Sequence, residues 1–334
     1  MILIFSSYVE YSTALVINWL NFKKIPFLRL NYLVTQNGIE SIDFDIELGE
    51  NETIFVKKND KIYDLNKFTS IWFRRLQIND PININLSNEE KIIEEKINVM
   101  KFTEKSSLFT YLVHNLKDRS WLNHPRDVYI NKPDQLRMAK QFGLQTPDTI
   151  ITTKKKSLIT FKQKHHKVIT KAIGNLQPLY LSHEKSHYSF YTTLVTDEKL
   201  NEIPNTFYPS LFQEYINKKF EIRSFFIGNK FYHCAMFTQN DKVTEVDFRR
   251  FSDNTFTRRI PFKMPQHIED KMKNLINYYN LNSGSIDSIF TETGEIYFLE
   301  INPVGQFGFI SYFCNFYIEL EIANFLISNI KKYE

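Results

Sequence analysis

Cysteine is scarce in these 334 residues: Cys234 and Cys314 are the two present, far apart and at no metal-ligand spacing. That excludes a disulfide framework and a cysteine-built zinc site, and it fits a reducing cytosol. Each reads as a small buried apolar residue. Long hydrophobic runs are also missing. None approaches the ~20 residues of a membrane helix, so no membrane partner is expected. Met1-Ile2-Leu3-Ile4-Phe5 has no basic segment before it and reads as a first strand, not a secretion signal. Charge of one sign is nearly balanced, with Lys+Arg 42 against Asp+Glu 38. The resulting +4 is too small to imply nucleic acid, and no recurrent basic-aromatic module suggests RNA. There is no G-x-G-x-x-G, hence no dinucleotide fingerprint. No Ser-His-Asp or Cys-His arrangement is visible. His165-His166 and the pair His183 and His187 lack a third ligand at a recognisable spacing, so they read as solvated loop histidines. Internal repeats and low-complexity segments are absent.

What is present is an aromatic-rich globular chain, with 30 Phe, 18 Tyr, 43% apolar and 24% charged residues. At roughly 150 residues per domain the length suggests two domains. The start reads as strand 1–5, helix 10–23 and strand 27–32, the β-α-β opening of a doubly wound domain. Residues 39–44 and 53–56 suit a hairpin or meander. The short strand Ile71-Trp72-Phe73 delivers Arg74 and Arg75 to its end. Ser87-Asn88-Glu89-Glu90 is a capping box for a helix running to about 113. The polar stretch 114–131, with Pro125, holds the domain boundary. Pro133 suits a first helical position, and Gly143 a C-cap. The remainder reads mostly as strands: 148–152, 167–172, 211–215, 221–227, 230–237 and a pair over 285–302. Helices are expected at 157–164, 266–279 and 311–330. Gly228-Asn229 and Thr293-Gly294 read as two-residue hairpin turns.

The last strand pair carries the strongest chemical signal. Phe298-Leu299-Glu300-Ile301-Asn302-Pro303 is an apolar run, yet Glu300 and Asn302 sit two apart and so share a face. With a two-residue loop at Thr293-Gly294, Glu292 pairs with Glu295 and Asp287 falls opposite Glu300. Opposed carboxylates in a sheet repel one another, and a bound cation removes that cost. Asp, Glu and Asn offer only oxygen, which suits Mg²⁺ shared with nucleotide phosphates. An edge hairpin with solvated charges is the bland alternative.

Other segments are weaker alone. Lys171, inside the strand Val168–Ala172, needs an anion if it faces inward, and is an ordinary surface lysine if it faces out. The polar stretch 174–192 behind it suits a lid over phosphates. Lys132 precedes a helix. Leu211–Ile216 could border an adenine through backbone groups, or be a plain core strand. Glu221 and Arg223 share a face, and Asp247-Phe248-Arg249-Arg250 repeats acid beside arginine. Such arginines either stabilise transferring phosphoryl groups or form structural ion pairs.

In order, these segments resemble the ATP-grasp family over 125–330. The resemblance implies an α/β and α+β protein: an N-terminal doubly wound pre-ATP-grasp domain, 1–122, then an ATP-grasp domain, 123–334, with central and C-terminal subdomains. It implies ATP and Mg²⁺ as cofactors. Lys132 and Lys171 would hold the phosphates, and Gln213, Glu214 and Ile216 would border the adenine. Glu221 would position the nucleotide, while Asp287, Glu300 and Asn302 would hold the metal. Arg223 and Arg249 would stabilise charge on the reacting carboxylate. Ile71–Arg75, Asn131-Lys132-Pro133 and Phe298–Gly308 narrow the resemblance to the microviridin ligase type, the graspetide synthetases. The tail Ser311–Glu319 is similar to the grasp-with-SPASM subgroup. Phe248 replaces the Trp of relatives and keeps the aromatic packing. The implied activity is an ADP-forming ligase, cytoplasmic and homodimeric. It would activate Asp or Glu of a ribosomal precursor peptide, leader plus core, and join it to Thr, Ser or Lys. The alternatives are a ligase adding a free amino acid to a protein or small molecule, and a nucleotide-dependent peptide binder without catalysis.

Overall fold

The computed structural model describes residues 1–7, 10–31, 42–49, 53–76, 88–174, 179–181, 186–188, 191–238 and 257–330. Two compact units emerge. One comprises Met1–Val128, Gln306–Ser311 and Tyr317–Glu334; the other comprises Tyr129–Gly305 and Tyr312–Phe316.

The first unit begins with β1 (Ile2–Phe5), α1 (Tyr11–Phe22) and β2 (Phe27–Leu30). A three-stranded antiparallel meander follows: β3 (Ile42–Glu47), β4 (Thr53–Lys58) and β5 (Lys61–Asp64). Then come β6 (Ser70–Phe73), α2 (Asn88–Asn115) and β7 (Ser120–Leu122). Strands β2-β1-β6-β7 form one sheet, and every pairing in it is parallel. All four residues of β1 and of β6 are buried, as continuous runs in a parallel sheet require. Residues 39–41 and the Ser87 capping box lie outside the described residues. Arg74 does stand at the end of β6. Its backbone N–H bonds the Phe5 carbonyl at 2.8 Å, and its guanidinium pairs with the buried Glu10, 3.3 Å away. Burial raises the Glu10 carboxyl, but Arg74 and two bonds from Thr13 outweigh it and hold the group below its ordinary value.

The second unit contains α3 (Lys132–Gln141), β8 (Thr149–Lys154), α4 (Lys155–His165), β9 (Val168–Lys171), β10 (Leu179–Leu181), β11 (Ser186–Tyr188), β12 (Thr193–Leu194), α5 (Asp197–Glu202) and β13 (Thr206–Glu214). It continues with β14 (Lys218–Ile227), β15 (Lys230–Phe237), β16 (Arg258–Pro261), α6 (Gln266–Tyr278), β17 (Ser283–Thr291) and β18 (Ile296–Asn302). Strands β12-β9-β13-β8 make one antiparallel sheet, backed by Leu158 of α4 packed on Val168 and Phe212. Strands β16-β15-β14-β17-β18 make the larger one. Ile222, Phe226, Ala235, Ile286, Phe298 and Ile301 pack there with Leu136 and Ala139 of α3 and Met272 and Leu275 of α6. Alternation along β14 therefore sends Glu221 and Arg223 to the opposite face. Most of 174–192 lies outside the described residues; β10 and β11 pair antiparallel within it.

One expected helix is two. Residues 311–330 divide into the end of α7 (Gly308–Cys314) and α8 (Ile318–Ser328). Asn315 and Tyr317 between them adopt φ of 56° and 54°, outside the right-handed helix. Ser311 Oγ accepts the Ile318 N–H at 2.9 Å and donates to Glu319 at 2.5 Å, which secures the new start. Apolar periodicity runs across the break, so pattern alone reads one helix.

Candidate active site

A row of charged residues crosses three strands. Arg223 on β14 pairs with Asp287 on β17, and Asp287 pairs with Glu300 on β18. The expected opposition of Asp287 and Glu300 is therefore present, but by another route. Phe290 pairs with Ile296, and the Thr291 N–H bonds the Glu295 carbonyl at 3.0 Å, so the loop has three residues, not two. Glu292 does not face Glu295. Gly294 at φ 87° takes the left-handed position that a three-residue hairpin loop demands. Up the strands, Ser288 pairs with Phe298 while Asp287 pairs with Glu300, leaving Leu299 as an extra, bulged residue. The bulge shifts the alternation by one and returns Glu300 and Asn302 to the polar face.

Protein cations already meet the carboxylates. Arg223 Nη1 donates to both Asp287 oxygens, at 2.9 and 2.8 Å. Lys132 Nζ lies 3.5 Å from Glu300 Oε2. Arg223 and Lys132 thus supply within the chain part of the compensation expected from a bound cation. Asn302 Nδ2 donates to Asp287 Oδ2 at 3.2 Å and to Glu300 Oε1 at 3.1 Å, so all three side chains converge. Turning that amide over would present its oxygen beside the two carboxylates. Among the described residues no group of three His, Cys, Asp or Glu side chains could hold a metal. A cation here thus depends on Asn302 as third protein ligand, and an all-oxygen set fits Mg²⁺. Glu221 is buried between Lys218, in close contact with it, and Thr238 Oγ1 at 3.2 Å. Burial pushes its carboxyl up, with Lys218 opposing.

The remaining described candidates lie on the smaller sheet and in the link that follows it. Lys171 pairs with Leu211, and Gln213 with Ile169, so Lys171 and Gln213 share the face of their sheet turned away from Val168 and Phe212. Gln213 Nε2 donates to Thr149 Oγ1 at 2.9 Å. The Glu214 side chain turns elsewhere, accepting from the Asp148 N–H at 2.8 Å and lying 3.3 Å from His165 Nδ1. The Glu214 N–H bonds the Asp148 carbonyl at 3.0 Å, and Ile216 lies half-buried in the link to β14. Asp247, Phe248 and Arg249 lie outside the described residues.

Sequence reading missed three arrangements. Gln135 on α3 bonds the Ile301 backbone twice, 166 residues away. Ser224 Oγ, His233 and Glu269 form a chain with contacts of 2.8 and 3.0 Å. Ser224 is 0% exposed and lies on the core face, so the chain braces α6 against the sheet and meets no substrate. Cys234 and Cys314 meet as buried free thiols, each pushed up chiefly by burial. Only folding brings these partners together; no local spacing signals them.

No protein-family model and no curated protein sequence matches the chain. Solved structures do. The macrocyclase MdnC from Microcystis aeruginosa MRC, bound with precursor peptide MdnA, matches at TM-score 0.81 and 22% identity over 98% of this chain and 99% of its own. A Chryseobacterium gregarium RiPP-associated ATP-grasp ligase, in complex with ADP and a leader and core peptide, matches at TM-score 0.83 and 22% identity over 99% and 97%. The ATP-grasp ligase PsnB, complexed with a minimal precursor, Mg and ADP, matches at 0.73 and 17% over 99% and 97%. Over nearly its whole length this chain therefore has the ATP-grasp fold, led by a doubly wound N-terminal unit.

Proposed function

We propose that the chain is an ATP-dependent, ADP-forming ligase that cross-links side chains of a ribosomal precursor peptide. The observation that carries this is the Arg223–Asp287–Glu300 row with Asn302 and Lys132 converging on it. Neighbours of like fold are a macrocyclase solved with a precursor peptide and an ATP-grasp ligase solved with ADP and a leader and core peptide, which supports the same class of substrate. Lys132 and Lys171 bind the phosphates, Gln213 and the 214–216 backbone border the adenine, and Glu221 orients the nucleotide. Asp287, Glu300 and Asn302 hold Mg²⁺, which when bound offsets phosphate negative charge. A peptide Asp or Glu oxygen attacks the γ-phosphorus and ADP leaves, giving an acylphosphate. A Thr or Ser hydroxyl, or a Lys amine, then attacks the acyl carbon and phosphate leaves. The peptide loses one water per link. Arg223 and Arg249 stabilise the charge that develops on these oxygens. Holding both side chains together supplies the proximity. In this reading the enzyme works in the cytoplasm as a homodimer. Among the described residues no helix is long and apolar enough to cross a membrane.

The test is incubation of the purified chain with ATP, Mg²⁺, free amino acids and a short candidate precursor rich in Thr, Ser or Lys together with Glu or Asp, sought in the adjacent reading frames and read by mass spectrometry. Loss of water with ADP release is expected. Mass gain would mean amino-acid addition, and an unchanged peptide would mean binding alone. Glu300→Gln should abolish the water loss with the fold intact, because it removes a ligand charge without changing shape. A folded Glu300→Gln enzyme with wild-type turnover would remove Glu300 from the metal set.

A further inference from the structure

Strand β18 is an edge strand of its sheet, with β17 on one side only. Its bulge at Leu299 interrupts the ladder just before Glu300. A bulge frees local twist, so residues beyond it need another restraint to hold an aim. Two groups bracket it from the outer side. The Gln145 carbonyl accepts the Phe298 N–H at 2.8 Å. The Gln135 side chain then takes the Ile301 backbone: Oε1 accepts from its N–H at 2.6 Å and Nε2 donates to its carbonyl at 3.2 Å. This is the pairing a neighbouring strand would make, supplied by one amide. Gln135 is 2% exposed, so water does not compete. Its helix is anchored by Leu136, Met138 and Ala139 in the core. Lys132, three residues earlier and on the same face of α3, lies at Glu300. Ile301 stands between Glu300 and Asn302, so whatever fixes its backbone fixes both side chains.

We propose that Gln135 is the positioning residue for the metal ligands, its amide clamping Ile301 so that Glu300 and Asn302 present their oxygens together. The inference rests on the ligase reading above. Gln135 touches neither metal nor substrate and acts through the Ile301 backbone.

The test is the Mg²⁺ concentration giving half-maximal binding of a fluorescent ADP analogue, mant-ADP, to the full chain. Gln135→Met keeps the length and loses both bonds. Its half-saturation should rise roughly 10–100-fold, the usual cost of losing an outer-shell partner. Binding of mant-ADP in EDTA should stay at the wild-type value, and Gln145→Ala, which leaves the backbone contact at Phe298 in place, should behave as wild type. A lowered melting temperature with an unchanged Mg²⁺ response would make Gln135 merely structural and overturn the proposal. If Gln135→Met does not fold, Gln135→Asn, with both groups drawn back by one methylene, carries the same measurement; an unchanged Mg²⁺ response there also overturns it. Wild-type binding indifferent to Mg²⁺ would overturn the ligase reading itself, and that result is visible before any variant is compared.

Discussion

Arg223 carries two duties that its neighbours set against each other. It neutralises Asp287 in the free protein, through one nitrogen shared between both oxygens. It also stands in the row where charge develops in the proposed reaction. Side-chain exposure is 7% for Arg223 and 11% for Asp287, so removing the arginine strands a desolvated carboxylate opposite Glu300. Arg223→Ala should therefore lower kcat by about 10²–10³. It should also destabilise by about 3–5 kcal/mol, the cost of breaking a buried pair. Arg223→Lys should recover much of the stability and little of the turnover, because an ammonium keeps the charge and loses the planar guanidinium. Thermal unfolding beside steady-state cyclisation checks the split. An alanine variant as stable as wild type would mean that Asp287 does not depend on Arg223. At this scale the sequence was readable wherever alternation applies: Glu221 with Arg223, and Glu300 with Asn302. It was silent on Gln135 and on the pairing of Lys132 with Glu300, whose partners lie more than 160 residues apart.

The hairpin of β17 and β18 shows how an element can be read correctly at its centre through two errors. A two-residue loop and a plain ladder predict Asp287 opposite Glu300; a three-residue loop and a bulge deliver the same pair. Gly294 signals the longer loop, since a glycine in third place is the left-handed position. Leu299 signals nothing, because an apolar residue in an apolar run carries no mark of a bulge. The turn after β18 is constrained by close approach. A Cβ on Gly305 would lie 1.8 Å from Ser285 Oγ and 2.9 Å from the Asn302 carbonyl. Gly305→Ala should destabilise by about 3 kcal/mol, the upper range for overpacking, since backbone as well as side chain is in the way. Chemical denaturation checks it; an unchanged midpoint would show that the turn relaxes freely. The contact of α6 with β15 yields a pH prediction. Burial lowers the His233 pKa against the opposing pull of Glu269, so the folded value lies below that of the unfolded chain. The unfolded chain binds the proton first. This contribution is complete above pH about 6.5 and fades as pH falls through that value toward the folded one. His124 is lowered by burial as well and adds to the same slope. His233→Gln should flatten, without abolishing, the loss of stability between pH about 6.5 and 5. An unaltered slope would assign the effect elsewhere.

Across the molecule, the doubly wound start and the strand-rich remainder were legible because burial patterns differ. Continuous apolar runs mark the parallel sheet, and alternation marks the antiparallel ones. The division of the chain was less legible, because residues 306–311 and 317–334 return to the first compact unit. No composition shift marks that return; it rests on α8 packing against α1 and β6. The division matters for ligand response. Every described candidate for nucleotide or metal binding, from Lys132 to Asn302, belongs to the second unit. A ligand that binds only the folded form stabilises it by about 2.7 kcal/mol at a hundredfold excess over Kd. That gain should slow hydrogen exchange where the ligand must be released before the amides open. With saturating ADP and Mg²⁺, protection should rise in α3, β9, β13, β17 and β18, and stay unchanged in β1, β2, β6 and β7. Lys171→Ala should remove most of the gain in β9 and β13 by weakening phosphate binding, while the first unit remains as before. Equal protection of both units would place nucleotide contacts in the doubly wound sheet. A Lys171→Ala protein with the full wild-type gain would leave that lysine on the surface, as its strand position alone always allowed.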